Sequence, residues 1–401
     1  MPLRPPAGFI SAFFDPLRNP NAPTIGTATG GDASASVAFT APSNVGGSAI
    51  SSYSALSTPG GFTGSAASSP VTVTGLSNGT AYTFAVWATN TYGPSAYSAS
   101  SGSVTPQAIR GIFAGGNSAA SDAVNVIDYI SISTLGNATD FGDLSSNRNY
   151  PSACASSTRG VFGGGISATG TRTDSMVYIT IATTGNTTDF GLLSSSVYET
   201  GACSSSTRGL FGGGLTTAVT NVINYITIAS VGNSIDFGDL TVAREIVASC
   251  SSPTRGVWAG GAPGAGRSNV IDYVTIATTG NAADFGDLSV ALYGAAACSN
   301  TTRGLFCAGS TSTGNTNAIE YITIASTGNT TDFGDLTFTN YAPAGCSSST
   351  RGVFGGGIPS ARTNIIEYVT IGTTGNSTDF GDLTLARFGL AGCSNGHGGL
   401  S

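Results

Sequence analysis

Chemistry in this chain would have to start from very few side chains. His397 is the only histidine, four residues from the end of a 401-residue sequence and inside a glycine-rich tail. A Ser-His-Asp triad would need it as base, and nothing around it argues for that role. The six repeated thiols read as core packing rather than a metal cage, so neither a metal nor a cofactor is expected. The glycine runs "STRGVFGGG" (157–165 and 349–357) and "STRGLFGGG" (206–214) suggest phosphate loops. Such a loop needs its glycines between a strand and a helix, so that helix amides face the anion. Here another strand follows, and the pattern appears six times. The glycines are therefore read as permitting close strand approach and a turn.

Other reactive groups also come in sixes. Asp140, Asp189, Asp236, Asp284, Asp332 and Asp379 recur in "TDFGDL"-like segments. An Asp there can accept backbone amides and pin a hairpin, whereas catalysis calls for unique residues. Arg110, Arg159, Arg208, Arg255, Arg303 and Arg351 open each unit. Ion pairs with those aspartates are expected, exposed and contributing about 0–1 kcal/mol each. Cys154, Cys203, Cys250, Cys298, Cys346 and Cys393 hold one repeat position, which reads as small buried packing rather than a disulfide framework. Cys307 fills a glycine position, and the repeated "GNTT" is read as turn chemistry.

The elements that carry these residues follow from the repeat. Spacings between the arginines are 49, 49, 47, 48 and 48. Each unit has a glycine-ended apolar strand, a variable loop, an alternating strand ("NVIDYVTIATTGN"), a short strand ("TDFGDL") and a segment ending in cysteine. A period of about 50 residues with four short strands is a propeller-blade signature. The cysteine and Arg-Gly strands are out of step by one. The C-terminal cysteine strand should therefore complete the unit begun at Arg110, closing a six-bladed ring and removing open edges. Composition agrees: 58 glycines, 40% hydrophobic, 9% charged, no Lys and a net charge of −7 give no encouragement to nucleic-acid or anionic-membrane binding. No segment approaches the ~18 apolar residues of a membrane helix, and the N-terminus lacks a signal-like core.

Paired glycines (Gly164–Gly165, Gly260–Gly261), then Tyr178 or Tyr273, then Phe190 or Phe285, with Arg148, Arg244 and Arg387 before the next unit, resemble the kelch family. The family's Trp is Phe here and its Tyr-Asp order is inverted, so the resemblance, over about 290 residues, implies architecture and no activity. "STDFGDL" (377–383) is similar to the Asp box of sialidase-type propellers. Residues 23–106 resemble a fibronectin type III domain through Pro23, Phe39, Tyr53, Leu76 and Tyr82, the last two at tyrosine-corner spacing. The fold class expected is thus all-β: a docking arm (1–22), a fibronectin-like β-sandwich (23–106) and a six-bladed kelch-like β-propeller (107–401). With its "PPAGFISAFFDPL" leader, this layout resembles structural proteins of tailed-phage virions, particularly those of cyanophages.

What varies between units points to recognition. The loops after the glycines and the segments before the cysteines differ from unit to unit, and in a propeller both emerge on one face. Tyr150, Tyr198, Tyr293, Tyr341 and Phe388 stand four or five residues before their cysteines, with Asn147, Asn340 and Glu199 as polar partners. Rings there can stack on sugar; packing between blades is the competing reading. The expected function is a non-enzymatic virion surface protein, a tail or head fibre or decoration subunit. Its arm, through Phe9, Ile10, Phe13 and Phe14, would dock on other virion proteins in a homo-oligomer or symmetric array. Its propeller would bind host-surface glycan or receptor. The alternative class is a secreted bacterial adhesin or carbohydrate-binding protein.

Overall fold

The computed structural model describes residues 17–264 and 266–400. The arm residues Phe9, Ile10, Phe13 and Phe14 lie outside the described residues. The chain is all-β and divides into two compact units, Met1–Ala108 and Ile109–Ser401.

In the first unit, Thr24–Gly31, Ser34–Thr40 and Val71–Thr74 form one antiparallel sheet. Thr63–Ala66, Ser52–Thr58, Thr83–Asn90 and Gly93–Pro94 form another. Alternation of buried with more exposed residues along Ser34–Thr40, Ser52–Thr58, Val71–Thr74 and Thr83–Asn90 gives each sheet one apolar face, while Thr24–Gly31 is interrupted between Ile25 and Ala28. Val37, Val71 and Val73 from one sheet and Ala55, Phe84 and Val86 from the other share a core. Phe39 and Tyr53 meet within it, ring centroids 4.6 Å apart. The buried Tyr82 hydroxyl oxygen accepts the Ser77 amide at 3.0 Å, tying the chain back upstream.

The second unit contains six antiparallel sheets of similar design. In one, Ser152–Ala155, Arg159–Gly163, Ser175–Thr180 and Thr188–Leu192 pair in sequence order. The exception to that order is the sheet begun at Arg110–Ala114, whose first strand is Ala391–Ser394, with Cys393 opposite Ile112. The sheets are joined in a closed cycle. The amide of Gly185 donates to Phe141 O of the preceding sheet, and Gly232, Gly280, Gly328 and Gly375 repeat the bond. Gly136 returns to Phe380 O at 2.9 Å. Apolar side chains fill the space between successive sheets, as where Ile112 and Cys393 meet Ala153, Phe162 and Ile179. Such burial, at roughly 25 cal/mol per Å², is the main term holding the cycle together.

Two expectations about charged residues need correcting. The six repeat arginines do not pair with aspartate. Arg159 lies 4.2 Å from the centroid of Tyr178, and its Nη1 donates to Ile228 O of the next sheet at 2.9 Å. The other five follow the same pattern. The guanidinium reaches a tyrosine face and a carbonyl without leaving its strand, whereas the aspartates stand exposed on the outer strand. Nor do those aspartates hold the turn. Asn186 Oδ1 accepts the Asp143 amide of the preceding sheet at 3.0 Å, and its five counterparts do likewise. The "GN" pair thus stitches neighbouring sheets rather than its own turn. True ion pairs form where they are hidden: Arg244 with Asp272 at 2.6 Å and Arg387 with Asp128 at 2.9 Å, all fully buried. Arg148 holds the same place and, like Arg244, donates to two backbone carbonyls, Gly164 O and Ser175 O. Val177 stands at the position of the acid, however, and serine hydroxyls, Ser175 Oγ and Ser146 Oγ, take the remaining donors.

Candidate functional site

The glycine runs close no anion site. Gly164 and Gly165 have φ of 68° and 104°, a left-handed region that favours glycine. Their amides are donated to Ser175 O and Val197 O. None is left to cradle a phosphate.

The cysteines are all buried, with thiol pKa values raised by desolvation, and none is bonded to another. Beyond each cysteine the first strands are linked around the axis. Ser251 Oγ donates to Ser204 O, Ser299 Oγ to Ser251 O, Ser347 Oγ to Ser299 O and Ser394 Oγ to Ser347 O, at 2.6–2.8 Å. Ser204 Oγ continues to Ala155 O at 2.8 Å. Ala155 has no hydroxyl with which to continue the series, and His397 enters here. Its Nε2 lies 2.9 Å from Ala155 O, and its Nδ1 accepts the Gly399 amide at 3.0 Å. Gly398 donates to Ser299 O, so the tail caps this end of the axis over a cavity of about 60 Å³ lined by the ring cysteines and His397. Burial lowers the histidine pKa to about 4. Although Ser204 Oγ is 3.3 Å from Nε2, that nitrogen carries the proton in this arrangement. It is no base for the hydroxyl, and no carboxylate orients the ring.

The other end of the axis is built differently. Tyr150, Glu199, Ile246, Gly294, Ala342 and Gly389 occupy one repeat position, four residues before each cysteine. All six have left-handed backbone, with φ between 50° and 70°. Each donates its amide to the carbonyl of its counterpart in the preceding sheet, from Glu199 to Tyr150 through to Gly389, and Tyr150 closes the circle on Gly389 O at 2.7 Å. This annulus was missed in the sequence. Its occupants share no chemistry, and only its two glycines hint at the backbone. It surrounds a small cavity of about 90 Å³, whose lining includes Tyr150, Glu199, Thr200, Ile246, Pro343 and Leu390.

The annulus also sorts the predicted site residues. Tyr150 belongs to it, whereas Tyr198, Tyr293, Tyr341 and Phe388 lie one residue earlier, with Asn149 and Glu245 as their counterparts. Four rings form a connected chain: Tyr293–Tyr341 and Tyr150–Phe388 meet edge to face at 5.7 and 5.9 Å, and the Tyr150 hydroxyl donates to that of Tyr341 at 3.3 Å. Tyr198 stands apart, 5.4 Å from the Arg172 guanidinium. Arg267 and Arg362 stack likewise on Tyr293 and Phe388, in alternate units. Glu199 is at the mouth, its pKa raised to about 8 by desolvation and then by nearby Glu245, with Arg172 opposing. Desolvation raises Glu245 too. Asn340 is not a free partner: it is buried, giving Nδ2 to Gly356 O and accepting the Tyr341 amide, in the place that Arg148 and Arg244 occupy elsewhere. Asn147 is exposed and does not line the cavity.

No family model matches the chain, and no curated protein is similar enough to match it.

Proposed function

We propose that residues 107–401 form a six-bladed kelch-like β-propeller and residues 23–106 a fibronectin type III-like spacer. In this reading the chain is a non-enzymatic surface protein of a virion. Residues 1–22 dock it on other virion proteins in a symmetric array, and the propeller mouth binds host-surface glycan. The observation that carries the binding role is the chain of four half-buried aromatic rings beside Glu199 and Glu245 at one end of the axis. Ring faces and edges pack on the C–H surfaces of a sugar while carboxyl groups take its hydroxyls. The opposite end of the axis is capped by the His397 tail. The virion placement is supported by the order of segments and the leader sequence.

Two measurements test this. Purified full-length chain should bind host envelopes, and Tyr341→Ala should weaken that binding in chain that is still folded at the assay temperature. A chain lacking residues 1–22 should fold yet fail to enter particles. Normal incorporation would refute the docking role.

A further inference from the structure

Three arginines at the rim of the mouth carry charge that no ion pair takes up. Arg172, Arg267 and Arg362 follow one another at 95 residues, two units of the repeat, so they stand on alternate sheets of the closed cycle. Tyr198, Tyr293 and Phe388 keep the same interval, and each lies under one guanidinium, 5.2–5.4 Å from its ring centroid. A ring face holds the guanidinium and leaves N–H groups at its edge to donate elsewhere. Arg267 Nε donates to Ser310 O at 3.0 Å and Arg362 Nε to Asn117 Oδ1 at 2.8 Å, both acceptors on the sheet that follows. Neither Nη1 has a protein acceptor among the described residues. The ion pairs of this unit, Arg244–Asp272 and Arg387–Asp128, include none of the three. Arg267 is exposed, and Arg172 and Arg362 are partly so.

Nearby acids do not cancel this charge. Glu199 keeps its proton at neutral pH, and desolvation raises Glu245 as well. The loops after the paired glycines hold two aspartates, Asp122 and Asp174, against the three arginines. Most of the remaining aspartates stand on the outer strands, as Asp140 and Asp143 do.

We infer that the rim of the mouth takes a saccharide bearing carboxylate groups, a uronate in preference to its neutral counterpart. This rests on the glycan-binding reading above and narrows its substrate class. A carboxylate offers two coplanar acceptor oxygens and no donor, which matches the outer edge of a guanidinium already fixed by a ring and by its Nε bond. Anchoring of that kind lowers the ordering cost of binding. Three equivalent positions around one mouth suit an oligomer with a carboxylate on several of its sugars, because each position that is filled adds its own pair.

The test is titration of the full-length chain at neutral pH with a galacturonate trisaccharide and with its methyl ester, in which the sugar is kept and the charge removed. The acid should bind roughly tenfold more tightly, and added salt should narrow that margin. Arg267→Gln should lose most of the margin, and Arg267→Lys, which keeps the charge without the fork, should retain part of it. Arg362→Gln, at the equivalent position, is a second variant expected to act as Arg267→Gln does. Equal affinity, preference for the ester, or binding of neither form overturns the carboxylate and leaves the glycan reading standing. An undiminished margin in both folded glutamine variants overturns it as well. The glycan reading falls too only if Tyr341→Ala leaves binding to host envelopes intact.

Discussion

The Cys298 thiol lies over Gly352 of the next sheet, so that a Cβ at 352 would stand 2.6 Å from its Sγ. The same contact recurs around the cycle, as between Cys250 and Gly304 and between Cys203 and Gly256. The glycine of the Arg-Gly pair is therefore required by a cysteine sulfur of another sheet, about fifty residues earlier for Gly209, Gly256, Gly304 and Gly352, and near the end of the chain, at Cys346, for Gly111. Gly352→Ala should destabilise the protein by about 1–3 kcal/mol through overpacking. Adding Cys298→Ala should restore much of it, with a coupling of about 1 kcal/mol or more in a denaturation cycle. Additive effects would contradict the contact.

The buried arginines make a matched comparison. Arg244→Met strands the Asp272 carboxylate in the interior, and a cost of about 3–5 kcal/mol is expected. Arg148→Met strands no carboxylate, because Val177 stands where the acid would be, and it removes a guanidinium whose pKa burial has already lowered to about 10. The second substitution should cost clearly less in urea unfolding. Equal costs would show that the ion pair is not what Arg244 contributes.

Acid should loosen the capped end of the axis. The unfolded imidazole of His397 takes a proton near pH 6.5, while burial keeps the folded one neutral to about pH 4. Protons thus favour unfolding in this window. Stability from this group is complete above about pH 6.5 and declines as pH falls to about 4, by up to about 3 kcal/mol. His397→Gln should flatten that decline, and an unchanged slope would contradict the assignment.

At the mouth the sign reverses. Glu199 ionises near pH 4.5 when unfolded but keeps its proton to about pH 8 when folded. Its contribution is complete below pH 4.5 and is lost as pH rises toward 8. Glu199→Gln should remove this alkaline decline from melting temperatures read across the range. Persistence of the decline would locate its cause elsewhere.

The repeat made the strand order legible, and counting strands placed Cys393 beside the Arg110 strand. Partners across units were harder to read. Arg159 finds Ile228 and Asn186 finds Asp143 because adjacent sheets, rather than adjacent residues, meet there. A single repeat does not say which neighbour its side chains face. The aromatic positions were visible, but their split between Tyr150 and the other four depends on backbone conformation. Composition does not encode that conformation when Tyr, Glu, Ile and Ala all adopt it.

The central claim is that the aromatic mouth is the surface that meets the host. Its most direct test is quantitative adsorption of labelled full-length chain to host cells, comparing the parent with Tyr341→Ala and with Asp236→Asn on the outer strand. The account predicts that Tyr341→Ala loses most adsorption while Asp236→Asn adsorbs as the parent does. Full adsorption by Tyr341→Ala, or loss confined to Asp236→Asn, would contradict it.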